Sequence, residues 1–275
     1  MHRLRSRCYN EGIPRSPLLL VLFGCAGARP LAAPPSPAPP VSAHASSRPA
    51  PDTVQTSRGP LLIQPITHAS LLFSFDGKVI EVDPWSRGDY AGLAPADLVL
   101  LTDTHPDHLD SAQLARVSKP GTLLVAPPVV VDVLGDTRKV DVVLPNGERQ
   151  DVAGIGIEAV PMYNLVRGPQ SGKLFHEKGR GNGYVLTFGD TRVYLSGDTE
   201  CTDEMRALTD IDVAFVCMNP PYTMPPEEAA ACVAAFRPKV VYPYHFRGAD
   251  PEVFRAALAK TTPEVEVRIR DWYPE

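Results

Sequence analysis

The chain has 275 residues, enough for one large core or two small domains, and a formal net charge of −5. Residues 1–53 hold six arginines against two acids, a net +4, which leaves −9 for the remainder. An acidic remainder argues against nonspecific nucleic-acid binding, which needs a basic face.

The first fifty residues differ from the rest. Arg3, Arg5, Arg7 and Arg15 precede the apolar run Leu18 to Phe23, which is too short to span a bilayer as a helix. A basic start, an apolar middle and small residues after it resemble a secretory signal. Leu22-Phe23-Gly24-Cys25 resembles a bacterial lipobox, with Phe23 atypical, and would lipidate Cys25. A disordered extension or a misassigned start is the alternative. Eight prolines fall in residues 30–51, which read as a flexible or polyproline-like tether. The expected organisation is a leader over 1–28, a proline-rich linker over 29–57 and a single domain over 58–275. The domain would be exported, to the periplasm, the outside or a lipid anchor.

Within the domain, strands are expected near 61–66, 70–75, 78–82, 97–102, 122–126, 140–144, 155–160, 183–188, 191–196, 212–217, 239–243 and 264–269. Gly189-Asp190 marks a tight hairpin between two of them. Helices are expected near 110–117, 225–236 and 251–259. Asp110 is placed to cap the first. The second opens on Pro225-Pro226-Glu227-Glu228 and repeats Ala229, Cys232, Val233 and Phe236 at helical spacing. Two sheets between helices is the simplest layer solution, and internal symmetry is too weak in the sequence to claim a repeat. Cys201, Cys217 and Cys232 lack CxxC spacing and indicate no disulfide framework. Cys217 reads as a small core residue.

The densest chemistry lies in Asp103-Thr104-His105-Pro106-Asp107-His108, which follows the apolar strand ending at Leu101. Ligands two apart at a strand end point the same way, and a turn beyond can aim Asp107 and His108 at a second ion. Asp and His are also ordinary turn and cap residues. Two further strands end in metal-capable residues, Val193-Tyr194-Leu195-Ser196-Gly197-Asp198 and Val240-Val241-Tyr242-Pro243-Tyr244-His245.

In order, these motifs resemble the metallo-β-lactamase fold superfamily, whose signature is His-x-His-x-Asp-His, then a His, Gly-Asp and a final His. The match covers about residues 61–270 and is most similar to the ascorbate-6-phosphate lactonase-like branch. Thr67-His68-Ala69-Ser70, Val82-Asp83-Pro84-Trp85, Met162-Tyr163-Asn164 and Lys178-Gly179-Arg180-Gly181-Asn182-Gly183 support that branch. The resemblance implies an α/β fold, a four-layer αββα sandwich of two mixed β-sheets flanked by helices.

It also implies two divalent metal ions, zinc first, with manganese or iron as alternatives. Asp103, His105 and His176 would hold one ion, Asp107, His108 and His245 the other, and Asp198 would bridge them. Asp107 and Asp198 would be catalytic through these ions, and a metal-bridging hydroxide would be the nucleophile. The sequence departs from the family at Asp103, which stands where the first histidine is expected. Asn164 stands where many relatives have a histidine, so His176 is assigned to loop back, with an exposed loop histidine as the alternative.

Asp83 is expected to hydrogen-bond a ligand imidazole, His68 to line the mouth and Tyr222 to wall the pocket as an oxyanion donor. Arg167, Lys173, Lys178 and Arg180 lie in one polar loop that could hold an anionic group or simply be solvated. The expected activity is a metal-dependent hydrolase cleaving an ester, lactone or phosphodiester bond in a small, anionic molecule. The alternative is a noncatalytic, surface-tethered metal-binding protein with a degenerate site.

Overall fold

A computed structural model describes residues 48–274. The expected leader, most of the expected linker, and His2, Cys8, Cys25 and His44 lie outside the described residues. No helix of the described residues is long and apolar enough to cross a membrane.

The first sheet holds seven strands in sequential order. They are β1 (Asp52–Thr56), β2 (Gly59–Thr67), β3 (Ser70–Phe75), β4 (Lys78–Val82), β5 (Ala96–Leu100), β6 (Ser118–Ala126) and β7 (Val142–Val143). Pairs from β1 to β4 are antiparallel and those from β4 to β7 are parallel. The second sheet repeats that plan with β8 (Arg149–Val152), β9 (Ile155–Met162), β10 (Gly181–Phe188), β11 (Thr191–Leu195), β12 (Val213–Cys217), β13 (Val240–Tyr244) and β14 (Glu266–Val267). Its first four strands are antiparallel and its last four parallel. The backbone thus carries the repeat that the side chains conceal.

Alternation along the strands sets the layers, because successive side chains face opposite sides of a sheet. Leu98 and Leu100 of β5 enter the large core shared with Phe188 and Phe215 of the second sheet. Val99 and Leu101 face the other way, against Leu114 and Val117 of α1 (Ser111–Val117) and Val130 and Leu134 of α2 (Pro128–Leu134). On the second sheet, Phe236 of α4 (Pro226–Phe236) meets Tyr194 edge-on with ring centroids 5.8 Å apart. Helices α3 (Asp203–Arg206) and α5 (Pro251–Leu258) complete the set. The result is a metallo-β-lactamase-like sandwich of two mixed sheets with few helices.

Most expected strands and all three expected helices form, and Asp110 caps α1 by accepting from the amides of Ala112 and Gln113. The differences are local. Asp52–Thr56, expected within the linker, is β1, whose alternating exposure fits an edge strand paired to β2. The expected strands near 140–144 and 264–269 shrink to two residues each, β7 and β14, at the parallel edges of the two sheets. Helix α2 was not expected, since Pro127-Pro128 followed by three valines reads as strand or loop.

Cysteine usage also needs correcting. Cys201 and Cys232 form a disulfide across 31 positions, tying the segment after β11 to α4. The contact is tertiary, so no local spacing announces it. Cys217 is the buried free thiol expected. Replacing both bonded cysteines by serine should lower the unfolding free energy by about 3–4 kcal/mol in urea titrations, the loop-closure cost for a span of this order.

Glu81 on β4 is buried, and burial pushes its carboxyl up to about 8 against the opposing Arg48 charge. A carboxyl raised by folding binds its proton more tightly in the native state, so its stabilisation is full at low pH and is lost as pH rises through about 8. The Tm advantage of Glu81→Gln over wild type should therefore open on going from acid to mildly alkaline pH. A constant difference would contradict this account.

Candidate metal centre

The centre is built at one end of both sheets, where strands release the chain. Four release points share one backbone device, a residue in the left-handed region. They are His68 after β2 (φ 54), Asp83 after β4 (φ 44), Gly197 after β11 (φ 61) and His245 after β13 (φ 48). For residues with a Cβ this conformation is costly and persists only where the surroundings enforce it. At Gly197 the reason is steric as well, since a Cβ would lie 2.5 Å from Met162 Sδ. That glycine delivers Asp198.

Asp198 is the hub. Its Oδ2 lies 3.4 Å from His108 Nε2 and 3.3 Å from His176 Nε2, and its Oδ1 lies 3.3 Å from His245 Nε2. Asp107 Oδ2 is 3.5 Å from His245 Nε2. Three groups have potential ligand atoms within 4.8 Å of one another: Asp103, His105 and His176; His108, Asp198 and His245; and His68, Asp107 and His245. Every residue expected as a ligand is therefore in the cluster.

Behind it stand the groups that aim it. Asp83 is buried and accepts from the Thr102 amide (2.8 Å), the Thr102 hydroxyl (2.5 Å) and His108 Nδ1 (2.8 Å). His108 Nδ1 therefore carries the proton, and Nε2 points at Asp198. Asn164 performs the equivalent task for His176. Its amide oxygen, which can only accept, takes His176 Nδ1–H at 2.7 Å and the His176 backbone amide at 2.8 Å. The His176 Nε2 lone pair is left facing Asp198. His176, and not Asn164, thus meets the carboxylates, with Asn164 locked behind it by Glu200 Oε1 (3.0 Å) and the Tyr222 carbonyl (2.8 Å).

His68 belongs to this supporting layer. The Tyr273 hydroxyl accepts from the Phe246 amide and so donates to His68 Nδ1 at 2.6 Å, leaving His68 Nε2 to donate to Asp107 at 3.1 Å. Burial lowers the His68 pKa to about 4, outweighing its hydrogen bond to Asp107, and keeps the ring neutral. Its ring centroid lies 3.7 Å from that of His245, with the planes tilted by 31°.

Asp103 is held differently. Its Oδ1 accepts from Arg180 Nε at 2.9 Å, and its Oδ2 lies 3.2 Å from Arg180 Nη2 and 2.7 Å from His105 Nδ1. Burial works to raise its pKa, yet His105, His108 and Arg180 together hold it at about 2.

Several residues expected for anion binding are occupied elsewhere. Arg180 serves Asp103, Lys178 pairs with Glu204 at 2.6 Å, and Arg167 pairs with Glu228 at 2.7 Å and Glu200 at 3.2 Å. Glu200 is the functional residue that sequence reasoning passed over. It is almost fully buried, and it also accepts from the Val166 and Arg167 amides, pinning the loop that carries His176. Its signal was present in Gly-Asp-Thr-Glu, where only the aspartate drew notice.

The cluster opens into a cavity of about 460 Å³ lined in part by His105, Asp107, Phe175, Tyr222 and Arg247. Its donors fit a metal. His108 Nε2, Asp198 Oδ1 and His245 Nε2 are buried without hydrogen-bond partners, and imidazole mixed with carboxylate suits divalent first-row ions. Burial would lower His108, but Asp198 and Asp83 raise it well above its usual value. Burial would raise Asp198, but His245 and His108 hold it well below. Both shifts reflect a place where positive charge belongs, supplied by a proton or by a cation that displaces it.

Two sheets with a His/Asp cluster at their shared end define a metallo-β-lactamase fold and a metal-dependent hydrolase. The model of the beta-lactamase superfamily domain matches residues 62–245, and the chain belongs to that family. Among its relatives are metal-dependent hydrolases of Pyrococcus horikoshii, 29% identical over 68% of this chain and 88% of that one, and of a Geobacillus species, 30% identical over 70% and 90%. A crystal structure of a proposed metal-dependent hydrolase from Parabacteroides distasonis is 39% identical, covering 82% of this chain and 99% of that one with a TM-score of 0.75. The metallo hydrolase Igni18 from Ignicoccus hospitalis is 25% identical with a TM-score of 0.63, covering 76% and 94%.

Asp83→Asn keeps the size of the side chain but removes the charge behind His108. Zinc affinity measured against a competing chelator should fall about 10–100-fold, the usual effect of losing such an outer hydrogen bond. An unchanged affinity with an unchanged circular dichroism spectrum would remove Asp83 from the metal-orienting role.

Proposed function

We propose a dinuclear metallo-hydrolase that cleaves an ester, lactone or phosphodiester bond in a small anionic molecule. The carrying observation is Asp198, which lies 3.3 Å from His176 of one proposed ligand set and 3.3–3.4 Å from His245 and His108 of the other. In this reading Asp103, His105 and His176 hold one ion, Asp107, His108 and His245 hold the other, and Asp198 joins them. When bound, the ions supply Lewis acidity and lower the pKa of coordinated water.

The residues of the chain do the rest. Asp83 and Asn164 fix the tautomers of His108 and His176, so that both rings present a lone pair to the centre. His68 holds one oxygen of Asp107 and thereby its orientation. Phe175 and Tyr222, with ring centroids 5.0 Å apart, wall the cavity, and the Tyr222 hydroxyl is available to donate to a developing oxyanion. Zinc is the first choice of ion for an imidazole-rich set. The hard oxygen of Asp103 leaves manganese and iron as the alternatives.

The engagement of Asp103 by Arg180 supports a refinement, in which the two positions are unequal. A neighbouring guanidinium cancels the ligand's charge, so the Asp103 position binds its ion more weakly. We also propose export through the N-terminal leader, with Cys25 as a lipid anchor. The Cys201–Cys232 disulfide fits an oxidising compartment.

Elemental mass spectrometry of residues 48–275, without a histidine tag, tests the centre. Two equivalents of metal are expected at saturation, the second bound more weakly, with loss of metal and of ester turnover in Asp198→Ala. Arg180→Met should tighten the second equivalent. A single equivalent in every variant would refute the dinuclear reading. Metal without turnover of any ester, lactone or phosphodiester would favour the noncatalytic metal-binding alternative.

A further inference from the structure

With Arg167, Lys178 and Arg180 engaged by carboxylates, Arg247 is the one cationic side chain lining the metal cavity among the described residues. It follows His245 by two positions on the segment leaving β13. No carboxylate among the described residues lies within ion-pairing distance of it. Its guanidinium lies over aromatic rings instead, 5.6 Å from the Trp85 centroid and 6.0 Å from that of Tyr273. The Arg87 guanidinium lies over the same indole at 4.9 Å, on the wall of a separate pocket. Trp85 is itself placed by the metal centre, since it follows Asp83 by two residues and its ring lies 5.4 Å from that of His68.

Stacking uses the face of a guanidinium and leaves its in-plane N–H fork free, the geometry that meets an oxyanion bidentately. The metal ions would neutralise Asp107 and Asp198 in the cavity, and Arg247 is the cation that the chain itself adds at its lining for a negatively charged ligand.

We propose that Arg247, set against Trp85, is an oxyanion subsite at the mouth of the cavity. It takes a carboxylate or phosphate group carried by the substrate, away from the bond being cleaved. The apolar part of the same molecule lies against Phe175 and Tyr222. This inference rests on the hydrolase reading above for its substrate, although the subsite itself is a binding property that can be measured without turnover.

Two measurements on the zinc-supplemented full chain test it. The first is glutarate binding, followed by Trp85 fluorescence and calorimetry in wild type, Arg247→Met and Arg247→Lys. The expected result is an affinity at least tenfold weaker in Arg247→Met and partly restored in Arg247→Lys, with neutral glutaramide showing no such dependence. The second is the ratio of kcat/KM for 4-nitrophenyl hemisuccinate to that for 4-nitrophenyl butyrate. That ratio should fall at least tenfold in Arg247→Met. Glutarate that fails to bind, or binds wild type and Arg247→Met equally, overturns the subsite. If neither ester is turned over while glutarate binding depends on Arg247, ester hydrolysis is rejected and the subsite stands.

Discussion

The fold is organised around charge that has been taken out of water. Asp83, Asp103, His108, His176, Asp198 and His245 are each at most 4% exposed, yet they stand at the rim of a sandwich whose interior is hydrocarbon. Carboxylates in such a place cost several kcal/mol each unless positive charge and hydrogen bonds answer them. The surrounding structure provides those answers one by one: Thr102 for Asp83, Arg180 for Asp103, His68 for Asp107 and the three imidazoles for Asp198. A metal ion completes the balance. The left-handed exits at His68, Asp83 and His245 are tolerable because this dense network over-determines them.

Much of this was legible in the sequence. The apolar runs ending in Asp103, Asp198 and His245 marked strand ends, and strand ends at one edge are where side chains from distant parts of a chain can meet. Asp83 and His68 were legible because each follows a strand and stands next to residues of small volume or fixed geometry. The position of His176 required a long loop to fold back, and nothing local to Phe175-His176-Glu177 encodes that. It depends on Asn164 and Glu200, which act only once β9, β10 and β11 are in register. The Arg180–Asp103 pair and the Cys201–Cys232 bond were hidden for the same reason, being contacts between segments 77 and 31 positions apart. The duplicated strand order was invisible because packing constrains only the alternation of apolar residues, which any two strands share.

For function, the division of labour follows the elements. Sheet ends fix the metal-facing groups rigidly. The loop between β9 and β10 brings one candidate ligand, His176, together with one cavity wall, Phe175, so one backbone segment carries both. Arginines of that loop are consumed in holding it, and in the proposed subsite recognition of charge would pass to Arg247 on the segment after β13.

The repeated strand order has a further consequence. Asp103, His105, Asp107 and His108 come from the half that contains the first sheet. His176, Asp198 and His245 come from the half that contains the second. The halves meet in the short connection Pro145 to Glu148, and a chain cut there would yield two pieces with seven strands each. Neither piece would own a full coordination sphere. In the proposed centre the ion would therefore be a clasp between two architecturally equivalent halves, and its binding would report their reassembly by fragment complementation.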